Sequence, residues 1–178
     1  MNQHAVADAA RRVGTTIASL GDDQARGASR LPGWTRGHVV THLARNADAM
    51  RNIVEGAIAG EERAAYPDGA AGREAAIEAG AGRGAPALIA DFETSQQALD
   101  DAWRAMPDDA WSRTGIWLVH GRQAVLESLH TRRRELLVHW IDLDLDASPS
   151  DLPDDFVRVD LEWLRGQRTT PTWPDAPW

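Results

Sequence analysis

Cysteine and lysine are both absent from the 178-residue chain. Without cysteine the protein has no disulfide, no thiolate metal site and no cysteine nucleophile, so any thiol chemistry needs a thiol from outside. All 19 basic residues are arginine, which excludes a lysine Schiff base. No apolar stretch approaches the length of a membrane span, and the N-terminus lacks the basic and apolar regions of a signal peptide.

The charge balance is acidic. The formal net charge is −8 at pH 7 and no long basic run occurs, which argues against a nucleic-acid-binding groove. The chain is 43% hydrophobic, enough for a packed core, and its length is that of one domain. We therefore expect a cytoplasmic globular protein, a monomer or homodimer, that binds neither nucleic acid nor membrane.

Apolar residues recur at helical spacing along most of the chain, whereas strand-like alternation is missing. Residues 60–83 are rich in glycine, alanine and charge and predict a long loop or a short irregular helix. Residues 110–121 are expected to form a connection. Four long amphipathic helices are predicted, over residues 3–20, 36–59, 86–106 and 122–144. The fold class is therefore all-α, with a four-helix bundle as its architecture.

The pattern divides the chain into a bundle and an extension. Residues 1–148 contain the four long helices. Residues 149–178 form a short helical and proline-rich C-terminal tail, with a helix expected near residues 154–165. The last eight residues contain too much proline for a helix.

Two predicted helices carry polar residues at the margin of their apolar stripes. In the second helix, His42 falls at the edge of the stripe, with His38 and Asn46 on the same side. In the fourth helix, Glu135 and His139 stand at i and i+4, so both side chains project from one face. They belong to a polar row that runs beside the apolar stripe: Ser128, Arg132, Glu135, His139 and Asp142.

If these margins face each other, His42, Glu135 and His139 converge. Two neutral imidazoles and one carboxylate are a common catalytic zinc set that leaves one position open. The same ligand types suit non-haem iron(II) or nickel. A Glu-x-x-x-His pair is also frequent on ordinary helix surfaces, and His38 with His42 would give a two-histidine site on one helix. Spacing alone leaves these alternatives open.

Several other residues near these motifs invite a functional interpretation. The triplet 132–134 is interpreted as a mainly solvated helix face. Only Arg132 lies in the inward row, as a candidate to hold an anionic substrate or to pair with Asp142. His120 and His130 lie away from that row and are interpreted as ordinary polar residues. Trp34 is expected to act as a hydrophobic staple before a helix N-cap.

Two segments resemble the motifs of a known family. The run GWTRGHVVTHLARNAD at residues 33–48 is similar to the signature of the mycothiol-dependent maleylpyruvate isomerase family, and RRRELLVHWIDL at residues 132–143 resembles its second motif. The resemblance covers about residues 5–145 in order and spacing. It implies a DinB-like metal-binding four-helix bundle in which His42, Glu135 and His139 bind zinc or another divalent metal.

The resemblance also implies a cofactor and a reaction. Mycothiol would supply the missing thiol, with its sulfur at the open metal position. Its thiolate would add to the double bond of maleylpyruvate, a small electrophile, and eliminate after rotation to give fumarylpyruvate. Arg132 and Glu135 are the expected catalytic residues, because the substrate carboxylates need an arginine and the carboxylate tunes the acidity of the thiol.

Two alternatives to the isomerase are kept. The family's isomerase has a small second domain that contributes a catalytic arginine, whereas residues 149–178 are all that follows the bundle in this sequence. One alternative is a mycothiol S-transferase that acts on another electrophile with the same metal site. The other is a metal-binding bundle without catalysis.

Overall fold

The structure, a computed structural model, describes residues 3–167. Most of these residues lie in helices, which confirms the all-α class. The helices are α1 (Gln3–Ala18), α2 (Asp22–Arg26), α3 (Arg36–Ala59), α4 (Gly69–Ala81), α5 (Ala85–Arg104), α6 (Glu127–Asp142) and α7 (Asp154–Gln167). None of the described helices is both long and apolar enough to span a membrane. The proline-rich end of the predicted tail lies outside the described residues.

Helices α1, α3, α5 and α6 form the four-helix bundle, because each packs against two or more of the others. The central element is α3, which is buried on nearly all sides. Its ends follow from local chemistry. The Thr35 hydroxyl accepts the His38 backbone N–H at 3.3 Å, and Gly60 ends the helix with a left-handed φ of 75°. Both limits agree with the sequence prediction.

Helix α4 occupies half of the region that the composition predicted as a loop or short irregular helix. Ile77 buries itself against the bundle, and the helix approaches α3 through two glycines. A Cβ at Gly80 would lie 2.5 Å from Cγ2 of Thr41, and one at Gly37 would lie 2.2 Å from the carbonyl oxygen of Ala81. Only glycine allows this close approach. The same small residues made the sequence pattern of a helix weak in this region, yet they let α4 pack closely on α3.

A β-hairpin replaces the predicted connection and the predicted start of the fourth long helix. Strand β1 (Thr114–Trp117) pairs antiparallel with β2 (Gly121–Ala124), and α6 begins only at Glu127. Ile116 also exchanges backbone hydrogen bonds with residues 63 and 65, at 3.0 and 2.8 Å. These bonds connect the hairpin to the segment before α4. They give the hairpin backbone partners that a local sequence pattern does not predict.

The arginine triplet at the start of the second motif holds α7 against α6. Arg133 is buried, donates to both carboxylate oxygens of Asp155 at 2.8 and 3.0 Å, and lies over the ring of Phe156. Arg134 donates to Asp160 at 2.9 Å. The prediction of a solvated face is therefore wrong, because α7 covers it. The helix predicted near residues 154–165 is confirmed.

Candidate metal centre

The structure brings His42, Glu135 and His139 together between α3 and α6. Nε2 of His42 lies 2.7 Å from Oε2 of Glu135 and 3.1 Å from Nε2 of His139. Nε2 of His139 lies 3.4 Å from the same carboxylate oxygen. Within residues 3–167 this is the single group of three potential ligands found within 4.8 Å of one another. The convergence that the helical spacing allowed is therefore present in the fold.

The spacing of the three atoms fits a small divalent ion. In a tetrahedral zinc site, bonds of about 2.0–2.1 Å keep neighbouring ligand atoms about 3.3 Å apart. The three distances here bracket that value, from 2.7 to 3.4 Å. His42 is buried, whereas the side chains of Glu135 and His139 are 23% and 17% exposed. One side of the group is thus open to a further ligand, as a catalytic site requires.

The second nitrogen of each imidazole has its own partner. Nδ1 of His139 lies 2.8 Å from the carboxylate of Asp142, one helical turn further on. A carboxylate in this position orients a ligating imidazole and makes it more basic. Nδ1 of His42 accepts from the guanidinium of Arg73 on α4, at 3.2 Å. The candidate pairing of Asp142 with Arg132 does not form, because the Asp142 carboxylate is hydrogen-bonded to His139.

Burial and hydrogen bonding separate the pKa values of the three groups. Burial lowers the pKa of His42 to about 4, against the opposing hydrogen bond to Glu135. Burial also disfavours charge on His139, but hydrogen bonds to Asp142 and Glu135 outweigh it and raise its pKa to about 9. For Glu135, the bonds to both histidines outweigh burial and hold the pKa well below its usual value. The metal-free group is therefore a carboxylate, an imidazolium and a neutral imidazole.

The two-histidine alternative on α3 does not form. Nδ1 of His38 accepts the backbone N–H of Thr35 at 3.1 Å, and its Nε2 lies 3.3 Å from Glu78. His38 therefore caps the N-terminus of α3 and contacts α4 through Glu78. His120 and His130 lie elsewhere and pack against the ring of Trp163.

Arg132 lies in the core instead of facing a substrate. Its guanidinium is 0% exposed and donates to Gln96 at 2.7 and 3.0 Å, to Asn46 at 2.9 Å and to the carbonyl of Leu43 at 2.7 Å. Burial lowers its pKa to about 10, so it stays charged. With no exposed N–H group it has no surface to offer a substrate. We therefore revise its expected role from substrate binding to positioning, since it joins α3, α5 and α6 beside His42.

Two residues around the centre belong to no sequence motif, and a third has a role other than the predicted one. Trp34 stacks on His38 and meets the ring of His42 edge-on, at centroid distances of 6.0 and 5.8 Å. Trp34 therefore forms one side of the site, whereas the sequence predicted only a hydrophobic staple before the helix. Arg73 and Tyr66 come from the region predicted as a loop or short irregular helix and had no motif to mark them. They line a cavity of about 310 Å³ between α3 and α4.

Comparison with known proteins agrees with this geometry. The family model described as "Mycothiol maleylpyruvate isomerase N-terminal domain" matches residues 6–144. The chain belongs to this family. The match confirms the motif resemblance and the DinB-like bundle. The ligand assignment stays a prediction for this family member.

Two solved structures share the fold. They are a crystal structure of the mycothiol-dependent maleylpyruvate isomerase, 30% identical with a TM-score of 0.83, and one of its histidine-to-alanine mutant, 29% identical with a TM-score of 0.83. Each match covers 87% of this chain and 64% of the solved chain, so this chain spans about two thirds of their length. A comparison with curated proteins found no match.

Proposed function

We propose that the chain binds one divalent metal ion, zinc by preference, and uses it with mycothiol to act on a small electrophilic substrate. The observation that supports this most directly is the convergence of His42, Glu135 and His139 at 2.7–3.4 Å on an open side of the bundle. The missing cysteine adds to it, because a sulfur nucleophile has to come from outside the chain. Membership of the family and the names of the two solved relatives make mycothiol the thiol of choice.

A zinc ion held there would supply a Lewis acid at which an external thiol ionises near neutral pH. Three groups of the chain prepare the position. Asp142 fixes the His139 ring through Nδ1, so that Nε2 faces the other ligands. Glu135 supplies one negative charge, which limits how strongly the thiol is acidified. Burial keeps His42 neutral and so ready to ligate.

The positions of the ligands are set by rigid elements. His42 lies in the N-terminal third of the buried helix α3, and the two other ligands lie one turn apart on α6. Arg132 joins these helices through the carbonyl of Leu43, the residue after His42. A site built on packed helices holds its ligands in a preorganised geometry, which a catalytic metal centre needs.

The reaction we favour is the cis–trans isomerisation of maleylpyruvate to fumarylpyruvate, through addition of the thiol and its later elimination. Its support is the name of the solved relatives. A mycothiol S-transferase would use the same metal group and would stop after the addition. The chain spans about two thirds of the isomerase, so the bundle is the part that the two share.

The test combines ligation with turnover. Cobalt-substituted protein should gain a sulfur-to-cobalt charge-transfer band when mycothiol is added, and Glu135→Gln should shift that band and lower activity. Maleylpyruvate should be converted to fumarylpyruvate only when the thiol is present. A stable mycothiol adduct in place of fumarylpyruvate would assign the transferase. Turnover that is equal without thiol, together with no sulfur band, would contradict the proposal.

A further inference from the structure

Arg73 is a cation beside the metal centre with no anion of its own. Its guanidinium contacts Nδ1 of His42 at 3.2 Å and interacts with the Tyr66 hydroxyl. Across residues 3–167 no carboxylate lies within ion-pair distance of it. The other arginines of the same cavity are neutralised. Arg45 lies 2.6 Å from Asp91, and Arg51 lies 3.7 Å from Glu55.

The position of Arg73 is fixed by the packing of α4. Arg73 stands four residues before the buried Ile77, so both side chains share the face that meets α3. The close contact of Gly80 with Thr41 holds the C-terminal half of the helix against α3. The guanidinium therefore lies between the three ligands and the cavity of about 310 Å³, which Tyr66 and Asn52 also line. Arginine and tyrosine bring N–H and O–H donors that a carboxylate accepts, whereas the Asn52 amide already donates to a backbone carbonyl at 2.8 Å.

The contact with His42 links Arg73 to metal binding. A guanidinium only donates, so Nδ1 of His42 accepts and the proton of the neutral ring sits on Nε2, facing Glu135. An imidazole that gives Nε2 to a metal carries its proton on Nδ1 instead, where Arg73 finds no acceptor. Arg73 uses one of its five N–H groups for this contact, so the others can bind an anion in the metal-free protein, and metal ligation by His42 would free that one too.

We infer that Arg73 binds a carboxylate of the substrate. The inference rests on the proposed function, because it assigns a substrate-binding residue to the same site. A fork of two parallel N–H groups suits a carboxylate in geometry as well as in charge. Arg73 therefore takes the role in substrate binding that the buried Arg132 does not fill.

The test uses maleate as a non-thiol probe and calorimetry as readout. Zinc-loaded wild type should bind maleate at least about tenfold more tightly than Arg73→Gln, since the variant loses a charge-assisted bidentate contact. Arg51→Gln is the matched control, because it removes the same charge from the same cavity, and its affinity should change less than about threefold. Dimethyl maleate, which has no charge, should bind the wild type and Arg73→Gln equally.

A second readout is zinc affinity, measured by competition with a chelating dye. Arg73→Gln should bind zinc at least as tightly as the wild type, because it no longer competes for Nδ1 of His42 and removes a nearby positive charge. Maleate affinities within about twofold of each other, in wild type and Arg73→Gln, overturn the inference whether or not zinc binds. Failure of the wild type to bind zinc contradicts the proposed function instead, and the maleate comparison on the metal-free proteins then still decides on Arg73.

Discussion

Nε2 of His42 and Nε2 of His139 face each other at 3.1 Å, although the two residues lie 97 positions apart in the chain. The two rings meet at 89°, with their centroids 4.7 Å apart. In this orientation the two ring nitrogens and the Glu135 oxygen point toward a common space. Once both Nε2 atoms give up their protons, two lone pairs and a carboxylate face one shared position, which is the arrangement that binds a divalent cation.

The ligand set can be tested by single substitutions. His42→Ala and His139→Ala should each lower zinc affinity at least about a hundredfold, because a three-ligand site that loses one imidazole holds the metal weakly. Metal content after gel filtration measures the effect. His38→Ala is the control from the same helix, and it should keep close to one metal per chain. An empty site in the control, or full sites in the other two variants, would show that the ligands lie elsewhere.

The hydrogen bond that Nδ1–H of His139 donates to Asp142 should raise zinc affinity, although Asp142 is not itself a ligand. Asp142→Asn should lower zinc affinity about 10–100-fold, because the imidazole loses the carboxylate that orients it and makes it more basic. Asp144→Asn, at an exposed site that pairs with Arg30, offers a control two residues away. Equal zinc affinity in wild type and Asp142→Asn would remove Asp142 from the site.

The raised pKa of His139 predicts how the stability of the metal-free protein depends on pH. The folded protein holds this proton up to a pKa of about 9, against 6.5 for an ordinary histidine. The resulting stabilisation is present in full below pH 6.5 and is lost as the pH rises through about 9. The urea midpoint of chelated protein should therefore fall across this range, and the bundle core keeps it folded for the measurement.

Two comparisons isolate His139 as the cause. His139→Gln should lack the alkaline loss. Zinc-loaded wild type should lack it too, because the metal binds the neutral imidazole. At the acid end, His42 with its pKa of about 4 stays neutral while the unfolded chain takes up a proton, so stability should fall as the pH drops from 6.5 towards 4. A midpoint that is constant from pH 6.5 to 9.5 would contradict the assignment.

The buried Arg132 should matter for stability more than for chemistry. Arg132→Met should reduce the free energy of unfolding by about 3 kcal/mol or more, because Gln96, Asn46 and the Leu43 carbonyl lose their donor inside the core. Chemical denaturation measures the change. Arg134→Met is the control from the same triplet, and its partly exposed ion pair should be worth about 1 kcal/mol or less. A loss below about 1 kcal/mol for Arg132→Met would refute the positioning role.

The elements that the sequence predicted well have their determinants within a few residues of one another. The limits of α3 follow from the Thr35 cap and from Gly60, both of which act on adjacent backbone groups. The pairing of Glu135 with His139 on one face follows from the helical repeat alone. Helix α7 likewise follows its local apolar pattern.

The misread elements depend on contacts with distant parts of the chain. The hairpin gains its backbone partners from residues 63–65, and α4 gains its support from the glycine contacts with α3. The triplet 132–134 has the composition of a solvated face, and only the carboxylates of α7 make Arg133 a buried residue. Helix and strand propensities do not include these contacts, because each contact joins segments that lie far apart in the sequence.

The sequence by itself determined which helices exist and which of their faces carry histidine and carboxylate, because both follow from the helical period. It also determined that any thiol is external, since no cysteine is present. Only the tertiary structure decided that the two faces meet at hydrogen-bonding distance. It also decided that Arg132 is buried while Arg73 faces the site, and that Asp142 accepts a hydrogen bond from His139. The physical reason is that the packing of α4 and α6 on α3 sets these distances, and packing is a property of the whole core.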